Sequence, residues 1–62
     1  MITDINGNTL KVGQVILDIF FDEIAEIINV SKDDYLVVKY LKDGFFNINE
    51  VMEIKAIHTK AI

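Results

Sequence analysis

Serine occurs once, as Ser31, histidine once, as His58, and cysteine not at all. Nucleophilic catalysis needs a hydroxyl or thiol held against a base. Ser31 sits in a polar stretch and His58 in the last five residues, so the sequence offers no such pair and the chain is expected not to be an enzyme. The same inventory leaves no thiolate metal site, and one histidine does not make a zinc site. The three glycines stand too far apart to cradle a phosphate. No cofactor and no metal is expected. The remaining chemistry is acidic. Asp18, Asp22, Glu23 and Glu26 crowd one stretch without the spacing of a calcium loop. They read first as a solvated loop and second as a docking surface for a basic partner. Asp33, Asp34 and Asp43 read as turn formers, because short acidic side chains bond the local backbone.

The charge balance narrows the partners. Ten acids against six lysines leave a net charge of −4, and arginine is absent. Phosphate recognition leans on arginine's planar fork, so nucleic acid is disfavoured by sign and by residue type. The first ten residues carry neither a basic region nor a long apolar run, and no apolar stretch approaches a membrane span. No membrane association is expected. With no cysteine to pair, the cytoplasm is the expected compartment.

The elements that must position these residues fit one domain, 1–62, with one small core. Apolar residues make up 52% of the chain, enough to fold. Eleven isoleucines and six valines favour strands, since β-branched side chains suit a pleated surface. Proline is absent, so Gly, Asn and Asp mark the turns. Asn6-Gly7 marks a first hairpin between residues 2–5 and 9–12. Residues 31–34 form a polar loop, and Asp43-Gly44 marks a second two-residue hairpin. Residues 49–52 suit a single 3₁₀ turn, residues 53–57 a last strand, and residues 58–62 a fraying tail.

A four-residue loop at 31–34 pairs Val30 with Tyr35, Ile28 with Val37, Glu26 with Lys39 and Ile24 with Leu41. A two-residue turn at Asp43-Gly44 then pairs Leu41 with Phe46. One face carries Ala25, Ile27, Leu36, Val38, Tyr40 and Phe45 and is expected to be the core. The other carries Ile24, Glu26, Ile28, Val37, Lys39, Leu41, Phe46 and Ile48, where Glu26 and Lys39 need water. A second reading competes over residues 15–30. There Asp18, Asp22, Glu23, Glu26 and Asn29 fall within an arc of about 140° at helical period. That alternative gives an α+β domain with a helix at 15–30. Its β-branched content and the lack of an N-cap count against it.

The rhythm of Leu10-Lys11-Val12-Gly13-Gln14-Val15, of Ala25-Glu26-Ile27-Ile28-Asn29-Val30 and of Tyr35-Leu36-Val37-Val38-Lys39-Tyr40, followed by Asp43-Gly44 and Met52-Glu53-Ile54, resembles a small SH3-like barrel of the KOW or Tudor type. The resemblance covers about residues 10–57. It implies a mainly β fold, a small barrel of about five strands with a short 3₁₀ turn. It also implies a binding module without catalysis. Tudor-like readers hold a cation in an aromatic cage, and the matching positions are Phe20, Phe21, Tyr40 and Phe45.

The expectation is therefore a protein-binding module that uses an apolar sheet face and an acidic loop. The residues are Phe20, Phe21, Asp22, Glu23, Ile28, Val37, Leu41, Phe46 and Ile48. The partner is an unidentified protein or a second copy of the chain. A phage or mobile-element accessory protein is one setting for so small a module. The alternatives are a nucleic-acid-binding barrel of the KOW type, which needs Lys11, Lys39, Lys42 and Lys55 on one side, and a structural oligomerisation unit.

Overall fold

The computed structural model describes all residues, Met1–Ile62. Five antiparallel strands form one sheet: β1 (Val15–Asp18), β2 (Glu23–Val30), β3 (Tyr35–Tyr40), β4 (Val51–Lys55) and β5 (Thr59–Ala61), in the order β4-β3-β2-β1-β5. A 3₁₀ turn, Ala56–His58, joins β4 to β5. The fold is mainly β, as the β-branched content predicts. The helical reading of 15–30 is overturned, because β1 and β2 divide that segment. Strand alternation turns Ile16 and Asp18 inward from β1, and Ala25 and Ile27 inward from β2. Asp18 belongs to the polar arc of the helical reading, yet it is buried and hydrogen-bonded inside.

The core gathers on one side of the sheet. Ile16, Ala25, Ile27, Leu36, Val38 and Tyr40 supply its floor, and Ile2, Leu10, Phe46 and Ala56 cover it. Five of the six expected core residues are therefore buried. The sixth is corrected, since Phe45 is exposed and its neighbour Phe46 is inside. The cause is the connection after β3. Tyr40 is followed by a long loop, residues 41–50, rather than by a two-residue Asp43-Gly44 hairpin. The Asp43 carboxylate accepts the Ile48 N–H at 2.8 Å, and Gly44 N–H donates to the Phe46 carbonyl at 2.9 Å. Each bond closes a local turn where the expected ladder would run.

The expected pairing of β2 with β3 holds for half its length. Glu26 faces Lys39, Ile27 faces Val38 and Ala25 faces Tyr40. Leu41 N–H donates to the Ile24 carbonyl at 3.2 Å. A bulge between Ile27 and Asn29 then shifts the register by one, so Asn29 faces Val37 and Val30 faces Leu36. Ile28 is the extra residue, which a uniform count cannot place. Beyond it, Asp33 and Asp34 both take positive φ, at 63° each. Acidic turn residues tolerate that region better than bulky ones.

Both chain ends are built into the sheet. The first hairpin forms, with Thr3 bridging Thr9 and Leu10 N–H bonding the Ile2 carbonyl. Its turn has three residues, 5–7, and Gly7 sits at φ 81°, the left-handed position that ends such turns. The C-terminal tail is corrected to a strand, because Thr59, Lys60 and Ala61 pair with Asp18, Leu17 and Ile16. The 3₁₀ turn is likewise displaced from 49–52 to Ala56–His58, and β4 starts earlier than expected, at Val51.

Asp4 ties these two ends together. Its Oδ1 accepts the N–H groups of Asn6 and Asn8, at 2.9 and 2.8 Å. Its Oδ2 accepts the Ala61 N–H of β5 at 2.7 Å and the Asn8 amide at 3.1 Å. The Ala61 N–H is the largest cause holding the Asp4 carboxyl down at about 2. The folded value lies below the unfolded one, about 3.9. The stabilisation is therefore complete above about pH 4 and is lost as pH falls towards 2. Acid titration of the wild type should show stability falling across that window. Asp4→Asn should start less stable and show a shallower fall. Identical acid slopes in the two proteins would remove Asp4 from this role.

Candidate functional site

Two loops at one end of the sheet carry the aromatic residues. The β1–β2 loop, residues 19–22, presents Phe20 and Phe21. The β3–β4 loop, residues 41–50, presents Phe45 and Phe46. Asp18 anchors the first loop from below. Its Oδ2 accepts the Tyr40 hydroxyl at 2.6 Å and its Oδ1 accepts the Phe20 N–H at 3.1 Å. Burial, reinforced by this carboxylate, pushes the Tyr40 phenol well above its ordinary value. Asp22 turns the chain into β2 with φ 55°.

Glu23 joins the two loops. Its Oε1 accepts the Phe45 N–H. A methyl group on Gly44 would strike that carboxylate, so glycine at 44 is what lets Glu23 reach the loop. The rings then form a graded stack. Tyr40 and Phe46 lie parallel, 4.2 Å apart, in the core. Phe21 meets Phe46 edge-on at 4.8 Å and stacks on Phe45 at 4.5 Å. The stack thus runs from buried Tyr40 to Phe45, which is 74% exposed.

Phe20 leads the other way. It is 71% exposed and meets the His58 ring edge-on at 4.3 Å. Together with Ile5, Ile19 and Ile57 these two residues line a shallow apolar groove of about 200 Å³. A second groove, about 280 Å³, runs from Asp18, Phe20 and Phe21 to Glu53, Ile54 and Lys55 of β4.

The structure sorts the sequence-derived candidates into two groups. Phe20, Phe21, Asp22 and Glu23 share the first loop, and Ile48 stands exposed on the second. Ile28 and Val37 are not part of this end, since Ile28 is exposed at the β2 bulge and Val37 faces Asn29 beside it. Leu41 is half-buried just after β3. Phe46 is corrected from an outward contact residue to core, for the reason that places Phe45 outside. Phe45, named above only as a core residue and a cage position, stands exposed beside Phe21, and Ile5, Ile19, Ile57 and His58, which line the first groove, were not singled out from the sequence as binding residues.

Phe21 and Phe45 stack directly on each other, which fills the space a cage would keep for a cation. The single Ser31 hydroxyl proton has the backbone carbonyls of Lys32 and Tyr35 as its acceptors, each at 3.0 Å. No group of three or more metal-ligating side chains gathers anywhere in the chain, and no helix is long and apolar enough to cross a membrane. No protein-family model, no curated protein and no solved structure matches the chain.

Proposed function

We propose that the chain is a non-catalytic protein-binding module that docks a basic, apolar segment of a partner on its aromatic loop end. One observation carries this reading. Phe20, Phe21, Phe45 and Ile48 are 71%, 42%, 74% and 50% exposed on two loops that touch through the Phe21–Phe45 stack. Phe21 and Phe45 are backed by the buried Phe46 and Tyr40 rings, and exposed aromatic residues seated on a packed base are the usual anchors of an interface. Acids surround them: Asp22, Glu23, Asp43 and Glu50 lie on the same loops or at their ends. That charge favours a lysine- or arginine-bearing partner and repels a phosphate backbone. The resemblance to KOW and Tudor-type modules, which bind rather than catalyse, points the same way. The directly stacked Phe21–Phe45 pair favours an apolar contact over a caged cation.

Phe20→Ala and Phe45→Ala remove exposed rings, so the fold should survive both. Each is expected to weaken partner capture about tenfold or more, the scale of an aromatic hot spot. Reversing Asp22, whose carboxylate bonds nothing in the fold, to lysine should weaken it further and flatten its salt dependence, whereas reversing Glu23 would also break its bond to the Phe45 N–H. Cross-linking capture from the source cells, with the alanine variants alongside, measures this. A partner held equally by wild type and by the double alanine variant would sink the proposal. So would tight binding of RNA or duplex DNA at low salt, where phosphate attraction is strongest.

A further inference from the structure

The sheet has two edges, and the chain treats them differently. The β5 edge is closed by the chain's own N-terminus. Ile5 N–H donates to the Thr59 carbonyl, and Ala61 N–H donates to Asp4. The β4 edge has no such cover. Along β4 the bonding to β3 alternates, as it must in an antiparallel pair. Tyr40 N–H bonds the Glu50 carbonyl, and Ala56 N–H bonds the Asp34 carbonyl. With Met52 opposite Val38 and Ile54 opposite Leu36, that alternation directs Met52 and Ile54 towards β3. Val51, Glu53 and Lys55 turn their N–H and C=O groups away from the sheet. Neither a proline nor a bulge blunts this edge.

We infer that two copies of the chain pair antiparallel through this β4 edge, with Glu53 of each opposite Lys55 of the other. The register follows from parity and charge. Open residues must face open residues for the ladder to form. Centring the pair on Glu53 puts Glu53 against Glu53, a like-charge contact. Centring it on Met52 puts Val51 against Glu53 and leaves Lys55 outside. Centring it on Ile54 puts Glu53 against Lys55 twice, with Ile54 meeting Ile54 between them. Only this last register satisfies the charges on both sides. A chain this short, with no cysteine and no cluster of three metal-ligating side chains, gains from an association that extends its sheet. The pairing uses the open backbone groups of β4 rather than the aromatic rings, although Phe20 and Phe21 share a groove with Glu53, Ile54 and Lys55.

Sedimentation equilibrium from about 10 µM to about 1 mM tests it on the full chain. The wild type should pass from monomer to dimer. Glu53→Lys or Lys55→Glu replaces two attractive contacts by two repulsive ones and should weaken the dimer about tenfold. The double reversal, Glu53→Lys with Lys55→Glu, should restore it. Both positions are exposed, and circular dichroism verifies that each variant folds. A wild type that stays monomeric throughout overturns the inference. So does a dimer that ignores the single reversals, or one that the double reversal fails to rescue. A dimer abolished by Phe20→Ala or Phe45→Ala, but not by the reversals, would place the contact on the aromatic end and overturn it too.

Discussion

Phe46→Ala is expected to lower stability by about 3 kcal/mol, within the range for truncating a buried phenylalanine. A chain of 62 residues commands roughly 6 kcal/mol in total, so one substitution removes about half. The midpoint of thermal unfolding should fall by about 15 °C. The loss has a second part that a plain core truncation lacks. Phe46 is the ring on which Phe21 leans edge-on and against which Tyr40 stacks. Without it the Phe21–Phe45 pair loses its base, and the aromatic end should become mobile while β1, β2 and β3 persist. Hydrogen exchange at residues 19–22 and 41–50 should accelerate beyond the global change. Phe45→Ala provides the contrast. That ring is 74% exposed, so stability should move by less than about 1 kcal/mol. Equal losses for the two variants would mean that Phe46 closes the core no more than Phe45 does.

The difference between these neighbours marks the limit of a reading from pattern. Strand content, the acid balance and the inward set of β2 and β3 follow from alternation, because side chains on a strand obey period two. Ala25, Ile27, Leu36, Val38 and Tyr40 are all found in this way. Alternation cannot carry across a loop whose length is unknown. Asp43-Gly44 has the chemistry of a tight turn, but the Asp43 side chain caps Ile48, five residues on. The loop grows, and the parity of everything after it changes. The bulge at Ile28 does the same on a smaller scale, moving Val30 from Tyr35 to Leu36.

The site was partly legible for a related reason. Phe20, Phe21, Asp22 and Glu23 are adjacent in sequence, so any fold that leaves their loop exposed keeps them together. Their companions come from far along the chain. Phe45 reaches them through Glu23, and His58 through the return of β5 alongside β1. A short C-terminal stretch holding one histidine and few strong strand residues gives no local sign of pairing. Its strand exists because Asp4 and Ile5 bond it from one side and β1 from the other. Tertiary bonding there outweighs local propensity.

Tyr40→Phe is the sharpest test of how the aromatic end is anchored. The substitution removes one oxygen and leaves every ring contact in place. Asp18 is 2% exposed, and after the change its carboxylate would retain the Phe20 N–H and lose the hydroxyl at 2.6 Å. A hydrogen bond to a buried charged group contributes about 2 kcal/mol, so that loss is expected in chemical denaturation. Asp18→Asn leaves one acceptor oxygen for two donors, the Tyr40 hydroxyl and the Phe20 N–H, and removes the charge, so it should cost at least as much as Tyr40→Phe. Combined, the two changes should fall short of additive, because each removes the same contact. The alkaline limb gives an independent reading. The unfolded chain releases a tyrosine proton near pH 10. In the folded state burial and Asp18 hold the Tyr40 proton far longer. The contribution is complete below about pH 10 and declines as pH rises above it, a slope that Tyr40→Phe should lack. A Tyr40→Phe protein as stable as wild type, with the same alkaline slope, would mean that packing alone holds the β1–β2 loop. The placement of the rings on which the docking proposal rests would then have to come from the Glu23–Phe45 bond.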